Sequence, residues 1–447
     1  MMFSIFFAIL MAKLAAGILR MFNKGATTFP GKIALHIKYD LLNYLSNGVK
    51  IICVTGTNGK TTTCALIEHA LKANNLSYFI NKSGANMITG VATAFIMNAN
   101  LFAKCKKDYA ILECDENSLP LISRYIDAEV VVVTNVFRDQ LDRYGEVSYT
   151  LSKIKEGIEN MPQAVLVLNG DCPLTYSLAD ACSNRYITYG IDADIGSVDL
   201  SDNRFCPICA KELEYKSRTF AHLGNFVCPN CSYHRERPSV RVTDLVEISE
   251  LGSTFFMQVN GDNKLYSVSL GGVYNVYNFC SAVAALQVLG IKKFGAMCDF
   301  SGAFGRMERF KNGKQNILLL LVKNPVGLSS CIRYVSKIQN DFDIAFSLND
   351  NEADSTDVSW IWDSSFEALK IKNASIYTLG RREYDMALRL KYDGLDVTKI
   401  IGGENYEALI DIIQSSQRDF VIFSTYTSMM NMRHKLIENF GGLEFWQ

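Results

Sequence analysis

The sequence predicts an α/β protein built on buried parallel strands, and three observations carry that expectation. Seven short apolar runs without polar alternation, Ile51–Val54, Ala110–Leu112, Val130–Val133, Ala164–Leu168, Ile317–Val322, Ile344–Phe346 and Val421–Phe423, alternate with helical patterns. Strands covered on both faces read this way because neither side meets water. Most of these runs end in polar residues able to do chemistry, namely Thr55-Gly56, Glu113, Thr134-Asn135, Asn169, Lys323 and Asn349-Asp350. Ligands of open α/β sheets bind beyond the carboxyl ends of the strands. A glycine-containing loop also joins the first run to the helical pattern Cys64 to Lys72.

The chain has 447 residues, enough for about three domains. Hydrophobic content of 49% and a net charge of −1, from 45 Lys+Arg against 46 Asp+Glu, exclude wholesale disorder. The same balance argues against non-specific binding of nucleic acid through overall charge. Of 13 cysteines, Cys53, Cys64, Cys105, Cys114, Cys172, Cys182, Cys280, Cys298 and Cys331 are scattered among apolar residues, the pattern of reduced cytosolic thiols.

Met1 to Ala12 is apolar except for Ser4, and no basic stretch precedes it. Lys13 interrupts it before about 18 residues, so neither a secretory signal nor a membrane span is expected. On a helical wheel Lys13, Arg20 and Lys24 fall within about 40° of each other, with apolar residues over most of the rest. Two readings stay open: a helix packed on its own domain, or one resting on a membrane surface.

Thr55-Gly56-Thr57-Asn58-Gly59-Lys60-Thr61-Thr62-Thr63 follows a buried run and opens a helix. Such a loop curls its backbone N–H groups around phosphate oxygens and adds the positive end of a helix. Gly56, Thr57, Asn58, Gly59, Lys60, Thr61 and Thr62 are the candidate nucleotide ligands, with Lys60 neutralising phosphate and Thr61 available to Mg²⁺. Val54 stands where the commonest spacing wants glycine, so this is a shorter variant of the phosphate loop.

Cys206-Pro207-Ile208-Cys209 is followed, after eighteen residues, by Cys228-Pro229-Asn230-Cys231. Paired Cys-x-x-Cys knuckles at this separation suit tetrahedral, structural Zn²⁺. Four thiolates fill the shell, so His222 and His234 read as ordinary surface histidines. Farther on, Ser347 to Asp363 carries five acidic residues and two tryptophans. It reads either as a solvated loop or as the source of an aspartate that orients a histidine in a nucleophile–base–acid triad. No Cys and His partners for such a triad stand beside it, so they would come from another protein.

The phosphate loop, with Leu112-Glu113-Cys114-Asp115, Thr134 to Gly145, Tyr274-Asn275-Val276-Tyr277-Asn278 and Gly305-Arg306-Met307-Glu308-Arg309, resembles the Mur ligase superfamily of ATP-dependent amide-forming enzymes. The resemblance implies that Glu113 helps hold a second Mg²⁺, that Asn275 and Asn278 contact adenine, and that Arg306 approaches the nucleotide. There are departures. Gln140 replaces the histidine of the usual Asp-His-Leu-Asp, Lys153 falls one residue early for the carbamylated lysine, and Leu321 to Gly327 replaces the Asp-Tyr-x-His stretch. The nucleotide machinery is kept while the part that accepts an amino acid is replaced.

Phe29-Pro30-Gly31-Lys32, the four-cysteine insert, Val322 to Gly327 and Asp357-Val358-Ser359-Trp360-Ile361-Trp362-Asp363 narrow the resemblance to the MurT family, over nearly the whole chain. That resemblance implies ATP-dependent amidation of the D-glutamate α-carboxylate in the lipid II stem peptide, through an acyl phosphate. Ammonia would come from a GatD glutaminase whose Cys and His are completed by an aspartate of this chain. Asp357 is the best match to it and Asp354 the second, with Ser355 standing where glycine is expected. The implied cofactors are ATP, Mg²⁺ and structural Zn²⁺. The implied location is the cytoplasm, with the first helix a candidate for contact with the inner face of the membrane.

The expected organisation is a helical segment 1–40, a Mur-ligase-like ATP-binding domain 41–301 with a zinc ribbon inserted at 203–237, and a Rossmann-like α/β domain 302–447 that docks the glutaminase. The rival readings are a self-sufficient Mur or folylpolyglutamate-type ligase and a nucleotide-binding scaffold whose ribbon docks on nucleic acid. Lys211, Lys216, Arg218, Arg235 and Arg237 would serve the scaffold, but Glu212, Glu214 and Glu236 dilute that charge.

Overall fold

The computed structural model describes residues 2–21, 27–81, 85–137, 147–193, 205–249, 252–300, 307–336, 338, 340–351, 353–354, 356–370 and 373–441. They form two compact units, one up to residue 300 and one from residue 307. The first carries strands β1 (Lys50–Thr55), β2 (Tyr78–Ile80), β3 (Tyr109–Glu113), β4 (Val130–Val133), β5 (Val165–Asn169) and β6 (Tyr186–Ile191). A hairpin of β7 (Glu214–Phe220) and β8 (Leu223–Val227) follows, then β9 (Val240–Ile248), β10 (Ser253–Val259) and β11 (Asp262–Val268). All but the hairpin join one nine-stranded sheet in the order β11-β10-β9-β6-β5-β4-β1-β3-β2. Pairing is parallel from β2 to β9 and antiparallel from β9 to β11.

Every residue of β3 and β4 is buried, which is why these runs lack polar alternation. β1 has β3 on one side and β4 on the other, so the strand order reverses there, and ligands of open α/β sheets bind beyond the carboxyl end of such a switch point. The β7–β8 hairpin leaves the sheet after β6 and the chain returns as β9, the parallel neighbour of β6.

Helix α1 (Met2–Met21) buries Ile5, Ala8, Ile9, Ala12 and Ala16 against α2 (Phe29–Ile37) and α4 (Ile88–Asn98), in the same core as β1. The packed reading of the N-terminus therefore describes one face of that helix. Gly31 is needed where α2 crosses α4, because a Cβ there would lie 1.9 Å from the Thr89 carbonyl oxygen. Its N–H donates to Thr93 Oγ1 at 2.9 Å. Helix α3 (Lys60–Ala73) runs back from β1, and α6 (Val273–Val288) packs on it; α5 (Val147–Glu159) precedes β5.

The second unit has β12 (Met307–Asn312), β13 (Gln315–Leu321), β14 (Phe342–Ser347), β15 (Ile376–Leu379), β16 (Lys399–Ile400) and β17 (Asp419–Ser424), in the order β12-β13-β17-β14-β15-β16. Only the β12–β13 pair is antiparallel. Successive residues of β13 enter opposite cores: Leu318 and Leu320 one, Ile317 and Leu319 the other. Each such side chain contributes about 1.5–3 kcal/mol of burial, and two buried faces leave no polar position. Helices α7 (Pro325–Ser336), α8 (Glu383–Tyr392), α9 (Tyr406–Ser415) and α10 (Tyr426–Phe440) cover the sheet.

All seven apolar runs form strands. The strands missing from that expectation include short and polar ones, and also β6 and β10, whose buried residues are interspersed with Thr, Gly or Gln. β2 has three residues, and β11 exposes Asp262, Asn263, Lys264 and Leu265 at the sheet edge.

Candidate functional site

The loop after β1 is built by two left-handed glycines. Gly56 has φ +116°, and a Cβ there would lie 2.4 Å from Thr134 Oγ1; Gly59 has φ +87°, with a Cβ 2.1 Å from Asn278 Oδ1. No L side chain fits either position. The end of β4 braces the loop: the Thr57 N–H donates to the Asn135 carbonyl at 2.9 Å and the Asn58 N–H to Asn135 Oδ1 at 3.0 Å. Asn135 Nδ2 returns a bond to the Asn58 carbonyl at 3.0 Å, and the Phe137 N–H donates to Thr57 Oγ1 at 3.0 Å. Thr61 and Thr62 occupy the first turn of α3, beside Lys60.

Lys60 is buried, and its Nζ donates to the Gly56 carbonyl at 2.6 Å and to Glu116 Oε1 at 2.7 Å. Burial alone would lower its pKa; the charges of Glu116, Asp115 and Glu113 outweigh burial and hold it above its ordinary value. Glu116 is a residue that sequence reasoning missed. Its only available signal was its place three residues past a strand-end carboxylate.

Glu113 ends β3 beside Val54, the register partner that immediately precedes Thr55. Asn81, also missed, fixes this strand end: its Oδ1 accepts the Glu113 N–H and its Nδ2 donates to the Glu113 carbonyl, both at 2.8 Å. The Glu113 side chain is 6% exposed and makes no hydrogen bond or ion pair with another described residue. A mostly buried carboxylate at the end of the strand next to the one that feeds the phosphate loop is of the chemical class that ligates a divalent cation.

Asn275 and Asn278 lie one turn apart on α6, joined by Asn278 Nδ2 to Asn275 Oδ1 at 3.1 Å. Their helix packs on α3, and Ser281 Oγ meets Thr63 Oγ1 at 2.9 Å. The asparagine pair is thus brought to the phosphate loop at Gly59. Arg306 and Gln140 lie outside the described residues. Lys153 is bonded to Glu156 at 2.8 Å.

Cys206, Cys209, Cys228 and Cys231 bring their four Sγ atoms within 4.8 Å of one another at the base of the β7–β8 hairpin. Cys206 and Cys231 are 3.7 Å apart and Cys209 and Cys228 3.5 Å. Tetrahedral Zn–S bonds of about 2.3 Å require S···S edges near 3.8 Å, so this donor set can hold such an ion. Two expectations about the insert need correction. His222 is not a surface residue: it is 2% exposed, its ring lies 4.4 Å from that of Phe137, and its Nε2 is 3.4 Å from Cys172 Sγ. Burial, and secondarily the charge of Arg218, pushes its pKa down to about 3.

Arg235 is likewise internal rather than part of a basic surface. Its Nε donates to Asp171 Oδ1 at 2.6 Å and its Nη1 to Asp192 Oδ1 at 2.7 Å. The other Asp171 oxygen accepts the Tyr277 hydroxyl at 2.6 Å. Tyr277 stands on α6 between Asn275 and Asn278, so this buried cluster ties the insert to the asparagine helix. Such a chain of long-range pairs leaves no mark in a linear sequence.

In the second unit the two candidate aspartates differ. Asp354 is 2% exposed, and its carboxylate accepts from the Thr427 N–H at 2.6 Å and from the Thr427 hydroxyl. It anchors the start of α10. Asp357 is only partly covered and accepts from the Ser359 N–H at 2.8 Å and from Ser359 Oγ at 3.0 Å. Nearby, Trp362 is exposed beside Tyr392, with ring centroids 5.3 Å apart. Tyr384, Leu388 and Tyr392 form an exposed stripe at every fourth residue of α8.

Comparison with known proteins now adds to this geometry. The Mur ligase middle domain matches residues 54–286 and the MurT ligase C-terminal domain matches residues 321–429. The chain is 37% identical over 419 residues to the lipid II isoglutaminyl synthase (glutamine-hydrolyzing) subunit MurT of Streptococcus pneumoniae (strain ATCC BAA-255 / R6), covering 92% of each. It is 33% identical to the protein of that name from Staphylococcus aureus (strain COL), covering 97% of this chain and 98% of the relative. Among solved structures, a pseudomurein peptide ligase type C from Methanothermus fervidus superposes with a TM-score of 0.68 at 23% identity, over 90% of this chain and 80% of that one. A MurF ligase from Thermotoga maritima in complex with ADP gives 0.61 at 13% identity, over 91% and 84%. These last two show the fold alone. Near-full-length identity to MurT proteins, with both domain matches on one chain, shows that the protein belongs to the MurT family of the Mur ligases.

Proposed function

We propose that this chain is the ATP-dependent ligase subunit of a glutamine-hydrolysing amidotransferase that amidates the D-glutamate α-carboxylate of the lipid II stem peptide. The observation that carries this reading is a braced phosphate loop, with Lys60 and Glu113 at its edge, in a chain matching MurT proteins over nearly its full length. A carboxylate is a poor electrophile, so activation must come first. Its oxygen attacks the γ-phosphorus of ATP and ADP departs; ammonia then attacks the acyl carbon, and inorganic phosphate and a proton leave.

In this scheme the N–H groups of Gly56 to Gly59 with Lys60, Thr61 and Thr62 hold the phosphates, and Asn275, Asn278 and Arg306 position the rest of the nucleotide. Thr61 and Glu113 would hold Mg²⁺, which supplies neutralisation of the charge gathered between phosphate and carboxylate. Before ATP arrives, Glu116 keeps Lys60 neutralised and in place. Cys206, Cys209, Cys228 and Cys231 would hold a structural Zn²⁺ and make residues 203–237 a zinc ribbon inserted in domain 41–301, after a helical segment 1–40.

Domain 302–447, a Rossmann-like α/β unit, docks a GatD glutaminase that supplies ammonia. Asp357 is offered to the Cys and His of that partner, with Asp354 the second choice. Asp357 is partly exposed whereas Asp354 is buried against Thr427, and the exposed Trp362, Tyr384 and Tyr392 of the same unit offer an aromatic surface; both support this assignment. The site is placed in the cytoplasm, where ATP is available. A self-sufficient amino-acid ligase is not favoured by the MurT relatives.

The test is mass spectrometry of lipid II incubated with ATP, Mg²⁺ and this protein, given ammonium or glutamine, with and without a GatD-like glutaminase. Exchange of OH for NH₂ on the stem peptide, needing the glutaminase only when glutamine is the donor, is the expected result. No exchange under any condition, with both proteins folded and ATP bound, overturns it.

A further inference from the structure

Helix α1 has a second face that the fold does not use. Phe3, Phe7, Met11, Leu14, Ile18 and Met21 are all exposed, Phe3 by 80% and Met21 by 84%. At about 100° per residue they fall within roughly 80° of arc, nearly opposite the buried Ile5, Ala12 and Ala16. The stripe is continuous over the length of the helix, about 30 Å for 20 residues. A stripe of this kind on a soluble surface marks an interaction site.

Its surroundings say what covers it. Along one flank runs the loop that follows α4. Lys13 Nζ donates to the Ala99 carbonyl at 2.5 Å, and the Phe6 ring lies 6.1 Å from that of Phe102, itself 70% exposed. Phe102 thus widens the apolar face, and Lys104 and Lys106 stand exposed beside it, with Lys106 close enough to repel Lys13. Arg20 lies on the same side of α1 as Lys13. The stretches 1–39 and 69–107, which supply α1, α2, α4 and this loop, contain ten Lys and Arg residues and no Asp or Glu. Acids bound both stretches, Asp40 pairing with Lys38 at 2.6 Å and Glu68 and Asp108 flanking the second, so the positive charge beside the stripe rests on the exposed Lys104, Lys106 and Arg20. Apolar side chains rimmed by lysines are the chemistry of a surface that meets anionic headgroups and the acyl boundary beneath them.

We propose that the outer face of α1, with Phe102 and its lysine rim, docks the protein in the plane of an anionic phospholipid bilayer. The helix is long and apolar enough to cross a membrane, but its other face is packed into the core around β1 and α4. Spanning would tear that core open, whereas in-plane docking buries only what is already exposed. The inference goes beyond the proposed reaction and stands on the surface alone. Its consequence for that reaction is delivery of a membrane-anchored substrate in two dimensions.

The test is co-sedimentation of the full-length protein with sucrose-loaded vesicles of mixed phosphatidylglycerol and phosphatidylcholine, against pure phosphatidylcholine, without nucleotide. Binding to the mixed vesicles is expected, weakened by salt. Phe7→Asp with Leu14→Asp should weaken it roughly tenfold or more, and Lys104→Glu with Lys106→Glu should remove the preference for anionic lipid. Unchanged thermal unfolding and unchanged ATP-dependent amidation of a water-soluble stem peptide would show that these variants remain folded. Equal sedimentation of the Phe7/Leu14 variant and the wild type overturns the proposal. So does no sedimentation of the wild type, or a shift of the Phe7/Leu14 variant from dimer to monomer, or its loss of the glutaminase, either of which would assign the face to a protein. Failure of amidation with vesicle binding intact would instead count against the reaction alone.

Discussion

Lys60 and Glu116 form a 2.7 Å ion pair inside the phosphate loop, with side-chain exposures of 5% and 4%. The lysine that would meet ATP is therefore occupied, and phosphate has to compete with a carboxylate for it. Breaking a buried pair from one side costs about 3–5 kcal/mol. Glu116→Gln should lower the thermal midpoint of the nucleotide-free protein and enlarge the increase produced by ATP, because phosphate then supplies the close counter-charge that Glu116 no longer gives Lys60. Differential scanning fluorimetry with and without a non-hydrolysable ATP analogue checks this; an equal or smaller increase refutes it.

Gly59→Ala should act on the nucleotide rather than on the fold. The added methyl would stand 2.1 Å from Asn278 Oδ1 at a φ of +87°. Loop and asparagine helix must separate, at a cost of about 1–3 kcal/mol. ATP affinity measured by calorimetry should fall at least tenfold, while far-ultraviolet dichroism stays unchanged.

Removal of metal from the four-cysteine cluster should be felt at the asparagine pair. Arg235 lies four residues beyond Cys231 and reaches Tyr277 of α6 through Asp171. Chelation, or Cys228→Ser, should abolish stoichiometric zinc in elemental analysis and lower both thermal stability and ATP affinity. Loss of zinc with unaltered ATP affinity would sever the proposed link.

The two aspartates of the second unit should separate by experiment. Asp357→Asn should leave ammonium-driven amidation intact and remove the glutamine-driven reaction. Asp354→Asn should mainly destabilise, by about 1 kcal/mol, through its weakened hold on Thr427 at the start of α10. Normal glutaminase activity in the Asp357→Asn complex would remove Asp357 from the triad.

His222 sets a pH dependence of stability. Unfolded, it takes up a proton near its ordinary pKa of 6.5; folded, it does so only at about 3. Between those values the unfolded chain binds the extra proton, so stability is full above about 6.5 and falls by about 1.4 kcal/mol per pH unit as acid is added. His222→Gln should flatten that slope in denaturant titrations across the window.

Much of this protein was legible in one dimension because its chemistry is local. A phosphate loop needs consecutive residues, Gly56 to Thr62, since successive backbone N–H groups wrap one phosphate. A four-cysteine site needs two short knuckles. Strands buried on both faces, such as Val130–Val133, must be apolar at every position. Asn81, Glu116, Arg235 and the stripe on α8 were not legible. Each acts through a partner far away in sequence or by being left uncovered, and neither property has a residue pattern of its own.

The sequence by itself therefore determined the α/β class, the nucleotide loop, the thiolate cluster and the resemblance to the MurT family, because contiguous backbone and fixed spacing encode them. Only the tertiary structure decided that Glu116 holds Lys60, that Arg235 and His222 are interior, that Asp354 is buried while Asp357 is partly exposed, and that α1 spends one apolar face on the core and leaves the other exposed. Burial and ion pairing depend on which distant residues meet, and the packing of the sheets, not the order of the chain, sets those meetings.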